Sequence, residues 1–100
     1  MNIQITSRKF RAKDSLKDYI KDEIKSLEKY NNDILDVNVI LSFTHLKDSI
    51  KTVEVILQIP GKVISVTDNS DTFEKSISGC AEKIIKQLKK VKTKRLAKVR

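Results

Sequence analysis

The chain contains two glycines, one proline, one cysteine, one histidine and no tryptophan among its 100 residues. Each scarcity removes a class of fold or function. The two glycines, Gly61 and Gly79, stand far apart and leave no glycine-rich loop to cradle a nucleotide phosphate. With Pro60 as the one proline, they also argue against long irregular connections. Cys80, alone, can form no internal disulfide, which fits a reducing compartment. His45 is the single histidine, so no Cys/His cluster has metal-ligand spacing, and neither metal nor cofactor is expected. No apolar run approaches the ~20 residues of a membrane span. The opening Met1-Asn2-Ile3-Gln4-Ile5-Thr6 lacks the charged-then-apolar layout of a secretory signal. A cytoplasmic protein without membrane contact is the expectation. Phe10, Tyr19, Tyr30, Phe43 and Phe73 are the whole aromatic set, each with a place in a core, so base stacking on an aromatic platform is not expected.

What is present is strong periodicity. Ile3 and Ile5 alternate with polar neighbours over 2–6, a short strand. Asp14 or Ser15 then offers a helix start, and Leu16, Ile20, Ile24 and Leu27 form one apolar face running to about Tyr30. Leu35, Val37, Val39, Leu41 and Phe43 alternate along a second strand, and Val53, Val55, Leu57 and Ile59 along a third. Residues 44–49 are a polar connection of hairpin length. Pro60-Gly61 makes a tight turn into a fourth strand over 62–67, facing inward with Ile64 and Val66 or, in the alternate register, with Val63. Residues 68–72 are rich in capping side chains and start a second helix, whose apolar face is Phe73, Ile77, Cys80 or Ala81, Ile84, Leu88 and Val91. Gly79 inside that helix costs roughly 1 kcal/mol relative to Ala, which close packing against a strand or the first helix would explain.

The order β-α-β-β-β-α gives an α+β fold. A four-stranded sheet containing an antiparallel meander should carry both helices on one face and leave the other to water, with Ile40 and Ile56 on the open side. One hundred residues bound this to a single domain with one modest core. Residues 1–95 are read as that domain and 96–100 as a basic tail that frays.

Charge is distributed unevenly. Residues 1–71 carry eleven basic and eleven acidic side chains, whereas 72–100 carry ten basic against Glu74 and Glu82, so the whole net charge of +8 belongs to the second helix and its tail. The first helix interleaves signs: Lys13, Lys17, Lys21, Lys25 and Lys29 run beside Asp14, Asp18 and Asp22, pairs worth ~0.2–0.5 kcal/mol each that mainly solvate it. On the second helix Lys83, Lys86, Lys90 and Lys94 fall three, four and four apart on one side, widened by Lys75, Lys89 and Lys92. Aligned like charges repel, so a purely solvating role would interleave them; a polyanion partner accounts for the stripe better. Lysine outnumbers arginine here, which suits phosphate contacts with little reading of base edges. A folded RNA surface fits best.

Catalysis finds little support. His45 reads as a solvated loop residue and Cys80 as a small core residue. No enzyme activity and no small-molecule substrate are expected.

The whole chain, over about 1–95, resembles the ribosome hibernation promoting factors, the group of short hibernation factors and ribosome-associated inhibitor A. The resemblance rests on Met1-Asn2-Ile3-Gln4-Ile5-Thr6-Ser7, Lys25-Ser26-Leu27-Glu28-Lys29-Tyr30 and Asp36-Val37-Asn38-Val39-Ile40-Leu41. It continues through Ile59-Pro60-Gly61, Thr72-Phe73-Glu74-Lys75-Ser76-Ile77 and Lys86-Gln87-Leu88-Lys89-Lys90-Val91-Lys92. It implies a fold similar to a double-stranded-RNA-binding domain. It also implies a translation inhibitor that occupies the messenger and transfer RNA channel of the small ribosomal subunit under stress. The partner would be 16S ribosomal RNA, contacted at the positions of Lys83, Lys86, Lys90 and Lys29, with Lys89 and Lys92 as further contacts. Glu23 and Ser26 stand where relatives often carry basic residues, and Val91 where an aromatic is frequent. Long members add a C-terminal dimerisation domain that pairs ribosomes; this chain is expected to act without one and to be a monomer off the ribosome. Two other readings compete: a generic duplex-RNA-binding module, and a protein-interaction domain whose basic helix grips an acidic partner.

Overall fold

The computed structural model describes residues 1–43 and 50–98, with side chains given up to Val91. His45, the side chains of Lys92 and Lys94, and the end of the basic tail therefore lie outside the described residues. Seven elements follow in order: β1 (Asn2–Ser7), α1 (Asp14–Lys25), a short 3-10 turn (Ser26–Lys29), β2 (Asp36–Phe43), β3 (Lys51–Ile59), β4 (Lys62–Ser70) and α2 (Phe73–Lys98). The strands form one sheet in the order β1-β2-β3-β4. β2, β3 and β4 are an antiparallel meander, and β1 pairs parallel with β2, so α1 is the crossover that returns the chain to the same end of the sheet.

The register stacks the apolar alternation into rows. Ile3, Val37, Leu57 and Ile64 lie side by side, as do Ile5, Val39, Val55 and Val66. These rows face Ile20, Ile24 and Leu27 from α1 and its 3-10 extension, and Ile77, Ile84 and Leu88 from α2, all buried. Both helices thus cover one face, while Ile40 and Ile56 sit half-exposed on the other. Tyr19 and Ser78 share a hydrogen bond of 3.0 Å that ties the two helices together.

Of the two registers open for the fourth strand, the sheet takes the one with Ile64 and Val66 inward; Val63 is 57% exposed. Two expectations need correction. Leu35 does not begin the second strand's inward face: it is 48% exposed, and Ile34 is buried in its place. The Leu35 N–H donates to the Gln58 carbonyl at 2.8 Å while Asp36 also pairs with Gln58. Two residues therefore oppose one, as in a β-bulge, and the alternation changes parity there. The first helix starts at Asp14, one of the two starts the sequence offers; Lys13 is its N-cap, without a side-chain bond, and its last turn tightens to a 3-10 form over Ser26–Lys29. The Ser26 hydroxyl donates to the Glu23 carbonyl at 2.6 Å there, the kind of back-bond that bends a helix end.

The second correction concerns where β4 ends: the strand runs past residue 67 to Ser70, while α2 begins at Phe73, directly after the expected capping segment. Asp68, Asn69 and Ser70 complete β4, and only Thr72 acts as the cap, its hydroxyl accepting the Lys75 N–H at 3.1 Å. Gly79 has a packing reason. A methyl group added at Gly79 would overlap the Asp68 carboxylate, so the helix backbone touches β4 at this point.

Candidate nucleic-acid interface

α2 presents its exposed side beside the free edge of β4. As the helix advances from Gly79 past Lys83 to Lys86 and Lys90, its neighbours on the strand go back from Asp68 through Thr67 to Ser65. The two elements run antiparallel and leave a shallow open groove of about 330 Å³ between them. Ser65 and Thr67 line it from the strand, and Lys83, Lys86, Gln87 and Lys90 from the helix.

The lysines singled out in the sequence separate into groups. Lys83, Lys86 and Lys90 come together on the β4 flank, as their spacing requires. Lys83 is partly engaged: its ammonium donates to the Thr67 carbonyl at 2.6 Å and lies 3.8 Å from the Asp68 carboxylate. Lys86 and Lys90 are exposed, and among the described residues neither makes an ion pair. Lys89 points to the other flank, its ammonium 5.9 Å from the centre of the Tyr30 ring. Lys29, exposed at the end of the 3-10 turn, is the chain neighbour of Tyr30. Lys75 does not widen the stripe as a free cation, because it pairs with Asp71 at 3.1 Å. Lys75, through hydrogen bonding first, together with the Ser70 hydroxyl, holds the Asp71 carboxyl below its ordinary range. Glu82, the one acidic side chain of α2 itself beside the stripe, makes no ion pair among the described residues.

The first helix offers a different surface. Asp22 and Glu23 line a shallow recess with Tyr19 and Ser26, so two carboxylates stand on the helix where a polyanion would need cations. Cys80, by contrast, is a core residue: its thiol donates to the Val53 carbonyl at 3.3 Å. Burial first, and the nearby Asp68 charge second, push its pKa up to about 11. Among the described residues no cluster of His, Cys, Asp and Glu could hold a metal ion, and no helix is long and apolar enough to cross a membrane.

Segment totals hid one cationic patch. Arg8, Lys9, Arg11 and Lys13, between β1 and α1, are all exposed, and none has a carboxylate partner among the described residues. Their connection is pinned by Phe10, which stacks on Phe73 at 5.3 Å and meets Phe43 edge-on at 5.1 Å. Lys9 takes a left-handed φ of 65° beside that pin. Four basic side chains in six residues were visible as a local run; summing charge over 1–71 cancelled them against acidic residues elsewhere, Asp33, Asp36, Asp68 and Asp71 among them. The contribution of Ser65 and Thr67 to the groove carried no sequence signal, because it depends on which strand forms the sheet's edge.

Comparison with known proteins agrees with this architecture. A Coxiella burnetii structure described as a ribosomal subunit interface protein superposes with a TM-score of 0.84 at 22% identity, covering 93% of this chain and 99% of that one. The N-terminal domain of Protein Y from Thermus thermophilus gives 0.79 at 22% identity, covering 91% and 99%. Among curated sequences, a ribosome hibernation promoting factor of Pseudomonas putida is 30% identical over 95 residues, 94% of this chain and 89% of that protein. The ribosome hibernation promotion factor of Deinococcus radiodurans is 24% identical over 93 residues, and the chain spans only 49% of its length. Residues 3–96 match the family model described as Sigma 54 modulation protein / S30EA ribosomal protein, and the chain belongs to that family.

Proposed function

We propose that the protein is a ribosome-binding inhibitor of translation of the hibernation type. It acts in the cytoplasm by lodging in the messenger and transfer RNA channel of the small subunit. The single observation that carries this reading is the Lys83–Lys86–Lys90 row beside a groove, with Lys86 and Lys90 in no ion pair among the described residues. Two ammonium groups left unpaired on one flank of a helix repel each other, and a row of phosphates relieves that repulsion. The names of the relatives, hibernation factors and a subunit interface protein, support ribosomal RNA as the source of those phosphates.

Inhibition by this route needs no covalent chemistry. Residues 1–95 form the binding body, with α2 laid on 16S ribosomal RNA and the sheet filling space that message and tRNA require. Lys86 and Lys90 are the principal contacts, with Lys83 beside them. Lys89 and Lys29 make a second point of contact on the far flank, Lys92 and Lys94 extend the stripe along α2, and the patch at Arg8, Lys9, Arg11 and Lys13 supplies a third. The contacts are of the phosphate-positioning kind, which sets register without reading sequence.

Sedimentation of small subunits with the protein, and translation in a purified system, test the reading. Wild type should co-sediment and inhibit; Lys86→Glu with Lys90→Glu should do neither while remaining folded. Normal binding and inhibition by that variant would overturn the assignment. Competition with arbitrary duplex RNA separates this reading from a generic duplex-binding module, which would show no preference for intact subunits.

A further inference from the structure

The hydrogen-bond pattern of the sheet determines which main-chain groups face the groove. The Asn2 N–H donates to the Leu35 carbonyl and the Arg8 N–H to the Leu41 carbonyl, so the odd-numbered residues of β2 address β1. Its even-numbered residues must then address β3, pairing with Gln58, Ile56, Glu54 and Thr52. The odd-numbered residues of β3 are left for β4, and Val55 with Val66 and Leu57 with Ile64 are its hydrogen-bonded pairs. Ser65 and Thr67 consequently direct their main-chain N–H and C=O groups off the free edge. The Lys83 ammonium on the Thr67 carbonyl is the direct trace of that direction. Thr67 thus has its outward acceptor occupied and its outward donor, like that of Ser65, turned toward the lysine-lined groove.

The spacings on the two walls match. Alternate residues of a strand are about 6.7 Å apart, and residues four apart on a helix rise about 6 Å. The Ser65 and Thr67 N–H groups on one side, and Lys86 and Lys90 on the other, therefore form two rungs of nearly equal pitch. That pitch is comparable to the separation of neighbouring phosphates along an extended ribonucleotide backbone, and too long for one phosphate to span squarely. Two outward N–H groups and two flexible ammonium groups outnumber the one unoccupied outward acceptor, the Ser65 carbonyl, so the groove favours an anion and gives it two kinds of bond.

We propose that the free edge of β4 and the Lys86–Lys90 flank of α2 form a track for the sugar–phosphate backbone of an RNA strand. The Ser65 and Thr67 main-chain N–H groups each donate to one of two successive phosphates. The proposal rests on the reading that the partner is RNA and adds the atoms and the direction of the strand. Lys83, tied to Thr67, sets the width of the track.

A proline substitution tests it cleanly, because proline removes an N–H and is tolerated on an edge where that N–H faces solvent. Ser65→Pro should weaken binding to small subunits roughly tenfold or more, the usual loss of a hydrogen bond to a charged group. Val63→Pro removes an outward N–H from the same edge but outside the groove, and should bind within about twofold of wild type. Wild-type affinity in Ser65→Pro, while Lys86→Glu with Lys90→Glu abolishes binding, would overturn the track and leave the RNA reading standing. Retained binding in the lysine double variant would overturn that reading itself. If Ser65→Pro does not fold, amide spectra of wild type titrated with a short oligouridylate decide the matter. Downfield shifts of the Ser65 and Thr67 amide protons, saturating together and absent at Val63, support the track; shifts no larger than that of Val63 overturn it.

Discussion

The two helices cover the same sheet face and bury similar apolar stripes, yet their outer sides differ in kind. α1 sets Asp14, Asp18 and Asp22 beside Lys17, Lys21 and Lys25, and its Asp22 and Glu23 line a recess of their own. α2 has Lys86 and Lys90 exposed beside Lys83 with no carboxylate between them; no lysine on α1 makes an ion pair among the described residues, so the helices differ in charge order and not in pairing. Burial of a stripe stabilises both helices equally well; the arrangement of charge on the other side is what assigns them different work. A helix that only needs water interleaves its signs, and one that leaves like charges adjacent carries an unfavourable term that a partner removes. The lesson is that charge order along a helix, more than charge count, separates a solvating surface from a docking surface.

Breaking the contrast should have the largest effect. Lys86→Glu with Lys90→Glu gives α2 the mixed signs of α1, and affinity for small subunits should fall by about a hundredfold or more at moderate salt. Thermal melts followed by circular dichroism should be unchanged, since both side chains are exposed. Neutral Lys86→Ala with Lys90→Ala sharpens the comparison instead. The slope of log affinity against log salt should flatten by roughly 1.5, two phosphate contacts having been removed; an unchanged slope would mean the two lysines meet no phosphate. Corresponding changes on α1, Lys17→Ala with Lys21→Ala, should leave the slope as it was.

The next effect concerns stability. Gly79→Ala forces the Asp68 carboxylate aside, and the net loss should be about 1 kcal/mol after the gain in helix propensity is counted. In an Asp68→Ala background the same substitution should stabilise by up to about 1 kcal/mol, because only the propensity gain remains. Urea unfolding of the four proteins measures this reversal of sign. The smallest effect belongs to Asp71. Its pKa is lowered in the folded state, so its pairing with Lys75 contributes above the ordinary carboxylate pKa and is lost as pH falls through the folded value. Asp71→Asn should lower the melting temperature slightly at neutral pH and not at all in strong acid.

Much of this was legible in the residues. The period-two runs from Val37 to Leu41 and from Val53 to Ile59 are strong because one face of each strand is dry, and the four- and three-residue steps of Leu16, Ile20, Ile24 and Leu27 are equally plain. The lysine row on α2 followed from spacing alone. What escaped depended on contacts between distant segments. Leu35 was misplaced because the parity change at Gln58 is a property of two strands together. The end of β4 was placed early, at residue 67, because Asp68, Asn69 and Ser70 have capping chemistry, yet pairing with β3 holds them in the strand. The division of the lysines between Thr67 on one flank and Tyr30 on the other required knowing what packs on each side of the helix.

Cys80 sits at the seam between α2 and β3, protonated at neutral pH and out of reach of water-borne reagents. A disulfide reagent can reach that sulfur only when the second helix lifts from the sheet. The rate of thiol labelling is therefore an intrinsic clock for that opening event, readable without attaching any probe. A partner that clamps the helix to the sheet should slow the clock in proportion to its occupancy.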